Sequence, residues 1–202
     1  MNDVAAVILA AGLASRYRAA DPAIESKVVA LLAGKPLVRH VAETALAARL
    51  SPVVVVTGHA DSAVRKALEG LDVQFVHNAD YAGGMAGSLK AGVAVLPATV
   101  SGAFVMLADM PRVTVSTIEN LRAALKASPD ADAIVPVAQG RRGNPALLAR
   151  SLLPAVSQLT GDEGARRILA NPAVKVVEVE ADADVVVDID TPDALKDAQR
   201  QL

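Results

Sequence analysis

Cysteine and tryptophan are absent from the chain, and two tyrosines and two phenylalanines make up its whole aromatic complement. Without a thiol there is no disulfide framework, no thiolate metal site and no cysteine nucleophile. Aromatics at 2% of the sequence leave no platform of the kind on which single-stranded nucleic acid is stacked. An excess of positive charge is missing as well: the net charge is −2 and the pI about 5.9. Nucleic-acid and membrane-surface binders carry a basic face instead, so neither partner is expected. No apolar run approaches the length of a membrane span, and the start M-N-D-V puts no basic segment ahead of its apolar stretch. A cytoplasmic protein is the expectation. The three histidines, His40, His59 and His77, lack metal-ligand spacing and give no zinc site. His59 reads as a loop residue, and Ser15 and Ser88 have no His and Asp partners for a hydrolytic triad.

What is present is small and apolar. At 202 residues and 52% hydrophobic content, much of it alanine and valine, the chain fits one domain with a substantial core. Strand-like runs recur at Val4–Leu9, Val53–Thr57, Val73–Val76, Ala103–Leu107, Ala133–Val137 and Val174–Val179, with helical patterns between them. That alternation predicts a parallel sheet covered on both faces by helices. The helices are expected from Pro36, over Asp61–Glu69, over Gly84–Leu96, and over Val115–Ala127 behind a Thr114 cap. Beyond Val137 the polar stretch Gln139–Asn144 reads as a hairpin before a short strand at Pro145–Leu148. Short helices are expected at Ser151–Val156 and Glu163–Ala170, the second capped by Asp162. A strand near Val185–Ile189 and a helix opened by Thr191-Pro192-Asp193 complete the pattern. Residues 139–170 are expected to form an acceptor-side subdomain within the single domain 1–202.

Three stretches carry chemistry. In V-I-L-A-A-G-L-A-S-R-Y-R, from Val7, an apolar strand gives way to Ala10-Ala11-Gly12, and Arg16, Arg18 and Lys27 follow. Small residues let backbone N–H groups approach a ligand at the carboxyl edge of a sheet, and cations beyond them suit a polyphosphate. On residue chemistry alone an ordinary strand-to-helix turn with exposed arginines fits equally. A Walker A loop would need glycine at 29 and Ser or Thr at 36, where the chain has Val29 and Pro36, and the dinucleotide fingerprint lacks its later glycines. Asp109, in A-D-M-P, follows another strand, where a carboxylate beside a polyphosphate can hold Mg²⁺, or can simply occupy a turn fixed by Pro111. Asp188 and Asp190, in V-D-I-D-T-P, fall on one side of an extended chain and can face one cation; a solvated strand end is the competing reading.

These motifs together resemble the nucleotidyltransferases that transfer a nucleoside monophosphate to molybdopterin or to sugar or polyol phosphates. The branch resembled most is that of the molybdenum cofactor cytidylyltransferases. The resemblance rests on L-A-A-G-L-A-S-R, S-K at Ser26, V-V-V-T-G-H, G-M-A-G-S-L-K-A-G, L-A-D-M-P, G-R-R-G-N-P, G-D-E-G-A-R and D-I-D-T-P-D-A-L, in order along nearly the whole chain. It implies a three-layer, Rossmann-like α/β fold, mostly parallel, of the nucleotide-diphospho-sugar transferase type. Leu9, Ala10, Ala11 and Gly12 would line the nucleotide pocket, with Gly87 and Ser88 on the nucleoside. Arg16 and Lys27 would neutralise the triphosphate, and Asp109 and Asp190 would hold Mg²⁺. Arg142, Asn144 and Asp162 would face the acceptor. The implied reaction is CMP transfer from CTP to molybdopterin with loss of pyrophosphate, a molybdoenzyme receiving the product. Ala11 and Asp190 depart from the guanylyltransferase branch and favour a pyrimidine nucleotide. The stretch 17–26 is longer than the family loop, and Asn144 replaces a frequent histidine, which leaves CMP or UMP transfer to a small sugar or alcohol phosphate open. A catalytically silent nucleotide-binding or cofactor-binding protein is the alternative of another class.

Overall fold

The structure is a computed structural model, describing residues 4–14, 17 and 25–201. Its frame is an eight-stranded sheet in which β1 (Val4–Ala10) is central, paired in parallel with β4 (Val53–Thr57) on one side and β6 (Gly102–Leu107) on the other. Beyond β4 lies β5 (Gln74–His77), also parallel. Beyond β6 the order is β9 (Ala146–Ala149), β7 (Ala133–Ala138) and β10 (Val176–Glu180), with β8 (Arg141–Arg142) pairing β7. β9 runs antiparallel to both β6 and β7, so the expected sheet is mostly parallel with one reversed insertion. Leu31–Leu32 (β2) and Lys35–Pro36 (β3) form a separate two-stranded hairpin.

Period-2 alternation in the strands builds the three layers. Val4, Ala6, Ile8 and Ala10 enter one core while Ala5 and Val7 enter the other, and in β4 Val53 and Val55 part from Val54 and Val56 in the same way. The first core is covered by α1 (Leu37–Ala47), α2 (Asp61–Ala67) and α4 (Val115–Ala127), through Val38, Val41, Val64, Ile118 and Leu121. The second is covered by α3 (Met85–Ala94), a 3₁₀ segment at Arg150–Gln158 and α5 (Ala165–Leu169). The chain closes in α6 (Pro192–Arg200), whose Thr191 cap accepts a hydrogen bond from Ala194 N–H. Thr114 caps α4 as the sequence predicts, accepting from Thr117 N–H at 3.1 Å.

Two local expectations are corrected. Residues 185–189 form no strand. The chain turns through a 3₁₀ segment at Ala183–Val186, the Val185 carbonyl accepts from Asn144 N–H at 2.8 Å, and Ile189 N–H is used on Asp109. With its main-chain groups engaged one at a time by loops, the segment has no ladder to join. Asp162 does not cap α5, which starts behind Gly164; Glu163 instead accepts from Thr160 N–H at 2.8 Å. Ser151–Val156 lies in a short helix as expected, of 3₁₀ form over Arg150–Gln158 with Pro154 inside it. Residues 139–170 supply β8 and β9 to the main sheet and a loop near the start of α3. The β7–β8 turn places Gln139 at φ 52° and Gly140 at φ 73°, the left-handed pair of a two-residue hairpin.

The absence of a side chain at Gly92 lets α3 lie close on the sheet. A Cβ at Gly92 would sit 2.4 Å from Val7 Cγ1 and 2.8 Å from Val56 Cγ2. Gly92→Ala gains about 1 kcal/mol of helix propensity and loses about 1–3 kcal/mol to overpacking. Urea denaturation is therefore expected to show a net loss of stability. On α1, Glu43 accepts from Lys35 and Arg39, and the Lys35 hydrogen bond, foremost, holds its pKa below the ordinary value. A depressed carboxyl contributes stability that is present above the unfolded-state pKa and lost as pH falls through the lowered folded value. Glu43→Gln should flatten the fall in urea midpoint on acidification below about pH 4.5 and change the slope little near neutrality.

Candidate active site

At the carboxyl edge of β1 and β6 the sheet opens into a cleft of about 460 Å³. Position follows from topology: parallel strands on either side of β1 end together, and their following loops splay apart. Leu9, Ala10 and Gly12 line the cleft from the first loop. A Cβ at Gly12 would meet nothing within 4 Å, so the loop opens directly onto the space. Ala11 instead turns its side chain into the second core, its carbonyl accepting from His59 N–H at 3.5 Å.

The chemistry concentrates on Asp109, Asp190 and Lys27. Asp109 lies two residues beyond β6, in a turn closed by Met110 N–H on the Leu107 carbonyl. Its own carbonyl accepts from Ile189 N–H at 2.9 Å, which brings the segment before α6 alongside. Asp109, Asp188 and Asp190 can each present a carboxylate oxygen within 4.8 Å of the others. Lys27, opening the 3₁₀ turn Lys27–Val29 anchored by buried Val28, reaches between two of them. Its Nζ donates to Asp109 Oδ2 at 2.6 Å and also to Asp190 Oδ1. Burial alone would lower the lysine pKa, but the Asp109 charge and hydrogen bond, joined by those of Asp190, outweigh it and the net direction is up. The ammonium stays charged. One Asp109 oxygen, Oδ1, is buried and without a hydrogen-bond partner among the described residues. Carboxylate oxygens clustered in this way are hard ligands suited to Mg²⁺ or Mn²⁺.

The far wall is α3 and the loops packed against its start. Gly84, at φ 105°, lies so near Gly161 that a Cβ would fall 2.3 Å from that residue's carbonyl carbon. Ala86 N–H donates to the Gly161 carbonyl at 3.0 Å, and Asp162 faces the cleft beside it. Ser88 lines the same wall, while Gly87 lies behind it against Asn78. Arg142 stands on the edge strand, bonded to Glu178 Oε1 at 2.7 Å, and Asn144 is held to Val185, so neither lines the cleft. Arg16, and with it Arg18, lies outside the described residues. Leu13, Tyr17, Tyr81 and Met85 also line the cleft, and none was marked by the sequence reading. Tyr81, one of the chain's few aromatics, standing just ahead of Gly83-Gly84 is the signal that was there to find.

The model of the MobA-like NTP transferase domain matches residues 6–179. The bifunctional protein GlmU of Legionella pneumophila is 29% identical over 180 residues, covering 88% of this chain and 34% of that protein. The chain thus spans about a third of the length of the curated relatives it matches. Among solved structures, Rv0371c from Mycobacterium tuberculosis is 25% identical at a TM-score of 0.82, covering 99% of this chain and 100% of that one. A manganese complex of Rv0371c aligns at a TM-score of 0.78. The Rv0371c homolog from Mycobacterium sp. strain JC1 is 27% identical at a TM-score of 0.82, with 98% of each chain covered.

The Lys27 geometry generates a prediction of its own. Lys27→Ala leaves two carboxylates facing one another across a half-closed site, and in a chelating buffer the melting temperature should fall by roughly 3–6 °C. Millimolar Mn²⁺ should restore most of that loss while raising the parent protein less, because a divalent ion in the variant displaces nothing. Differential scanning calorimetry with and without EDTA reads both effects.

Proposed function

The chain belongs to the MobA-like NTP transferase domain family, and on that premise we propose that it transfers CMP from CTP to a phosphorylated acceptor, molybdopterin foremost, with release of pyrophosphate. The observation that carries the reading is the meeting of Asp109 and Asp190, their carboxylate oxygens within 4.8 Å of one another, beside the small-residue loop. Two carboxylates from distant segments, with a buried unsatisfied oxygen, fit a divalent ion. Asp109 and Asp190 would hold it, with Asp188 in reach, and the manganese complex of the mycobacterial relative supports that fit. When bound, such an ion neutralises charge on phosphate oxygens; the assignment to Mg²⁺ follows from its suitability for nucleotide phosphates.

The chain's own residues then divide the work. Leu9, Ala10 and Gly12 offer close approach to the nucleotide, with Ala11 fixing the turn behind them. Lys27, once released from the aspartates, neutralises the phosphates together with Arg16. Asp162 and its loop form the acceptor side; Asn144 acts at a distance by holding the 183–190 segment, and Arg142 by bracing β8 against β10. An acceptor phosphate oxygen forms the new bond to the α-phosphorus while the bond to the bridging oxygen breaks, its electron pair leaving on pyrophosphate. The attacking oxygen is already anionic, so no general base is required, and rate comes from placement and charge neutralisation. Asn144, standing where the cytidylyltransferase branch often has histidine, favours a second reading in which the acceptor is a small sugar or alcohol phosphate.

A grid of four nucleoside triphosphates against molybdopterin and several sugar and alcohol phosphates, read by pyrophosphate release, separates these acceptors. Release is expected with CTP and molybdopterin, and EDTA should abolish it. Asp109→Ala is expected to lose about a hundredfold or more of turnover with an unchanged calorimetric fold signature. Thermal stabilisation by CTP and Mg²⁺ without pyrophosphate from any acceptor would make this a nucleotide-binding protein and not an enzyme.

A further inference from the structure

Behind the cleft wall, two buried polar side chains are locked to one another. Asn78 and Ser88 are 9% and 5% exposed, and Asn78 Nδ2 donates to Ser88 Oγ at 3.0 Å. Which end of the amide faces the serine is settled by a third group. Asp80 N–H, which can only donate, reaches Asn78 Oδ1 at 3.1 Å, so the amide oxygen is committed there and its NH₂ must face the hydroxyl. The Asn78 backbone is fixed as well, its N–H donating to the Thr57 carbonyl at 2.9 Å. Gly87 leaves room for the amide: a Cβ there would press within 3.3 Å of Nδ2.

The consequence falls on Ser88. A hydroxyl that accepts from an amide keeps its proton for another partner, and among the described residues no acceptor for that proton is found. Ser88 lines the cleft. We propose that Asn78 is a positioning residue that fixes Ser88 as a hydrogen-bond donor, so that this wall recognises a hydrogen-bond acceptor on the nucleoside part of the substrate. This rests on the nucleotide reading above, and names the polarity that the reading leaves unspecified.

Reversing the polarity tests it. In Asn78→Asp the first carboxylate oxygen still accepts from Asp80 N–H, and the second accepts the Ser88 proton, taking the donor away from the cleft. Calorimetric titration with CMP, CTP and inorganic tripolyphosphate is made on the parent protein, N78D, S88A and the double variant. N78D and S88A should each weaken CMP and CTP by about tenfold and leave tripolyphosphate unaffected. The double variant should weaken them no further than either single one. In turnover, KM for the nucleotide should rise with kcat held. Equal weakening of tripolyphosphate would mean charge repulsion, and additive losses would mean two independent roles; either overturns the proposal, as does unchanged CMP binding in N78D. Should N78D fail to fold, Asn78→Ala in the parent and S88A backgrounds gives the same cycle, with a loss expected only in the parent. A parent protein that binds none of the three nucleotides or polyphosphates sinks the nucleotide reading itself, a separate result.

Discussion

One main-chain hydrogen bond sets the site: Ile189 N–H to the Asp109 carbonyl at 2.9 Å. It aligns a turn after a central strand with a segment that reaches the sheet only near the end of the chain. Without it the two carboxylates would be neighbours in the fold but not in register. With it, Asp188 and Asp190 flank the same spot that Asp109 occupies, and Lys27 can touch two residues separated from it by 82 and 163 positions. Side-chain contacts reinforce the alignment. Arg112 Nε lies 3.1 Å from Asp184 Oδ1, and Gln199 donates to the Leu31 carbonyl at 3.0 Å. Ile189 is buried with Leu32 and Leu37, so the apolar cluster below fixes what the hydrogen bonds above orient.

The sheet explains why such a spot exists at this edge. β1, β4 and β6 run parallel and finish side by side, and Gly92 on α3 lets that helix approach Val7 and Val56 closely. The reversed β9 fills the space between β6 and β7, so the chain returns across the sheet without closing the cleft. The loop carrying Asp162 then settles on the start of α3, held by a carbonyl and by the absence of a side chain at Gly84. Fold and site share one cause, the small residues: they allow tight packing inside and open access outside.

The parts legible in the sequence were those set by local pattern. A continuous run of valines placed β4 at its observed ends, and Thr114 and Thr191 marked their helices because a hydroxyl cap is a local device. Asp109 and Asp190 were legible as candidates through their places at the ends of apolar runs. What escaped depended on contacts far away in the chain. Val185–Ile189 has strand-like residues, but its carbonyl and amide groups are engaged by Asn144 and Asp109, which no local pattern discloses. Arg142 offers the right charge for an anion and yields it to Glu178 on β10. Tyr81 and Met85 were hidden for the opposite reason, since a tyrosine in a turn and a methionine opening a helix are ordinary until a cleft lies before them.

An ammonium ion is already seated between two acids in the resting site and offsets one of their charges. Loading it is then an exchange and not the filling of a hole, because a tethered cation competes with any free one at high effective concentration. On the proposed function, a divalent ion arriving alone would leave Lys27 without its partners, and one arriving with a polyphosphate would supply the displaced lysine with a new one. Each ligand would then strengthen the other by the same factor, a reciprocity required by linkage. One side chain is enough to couple them.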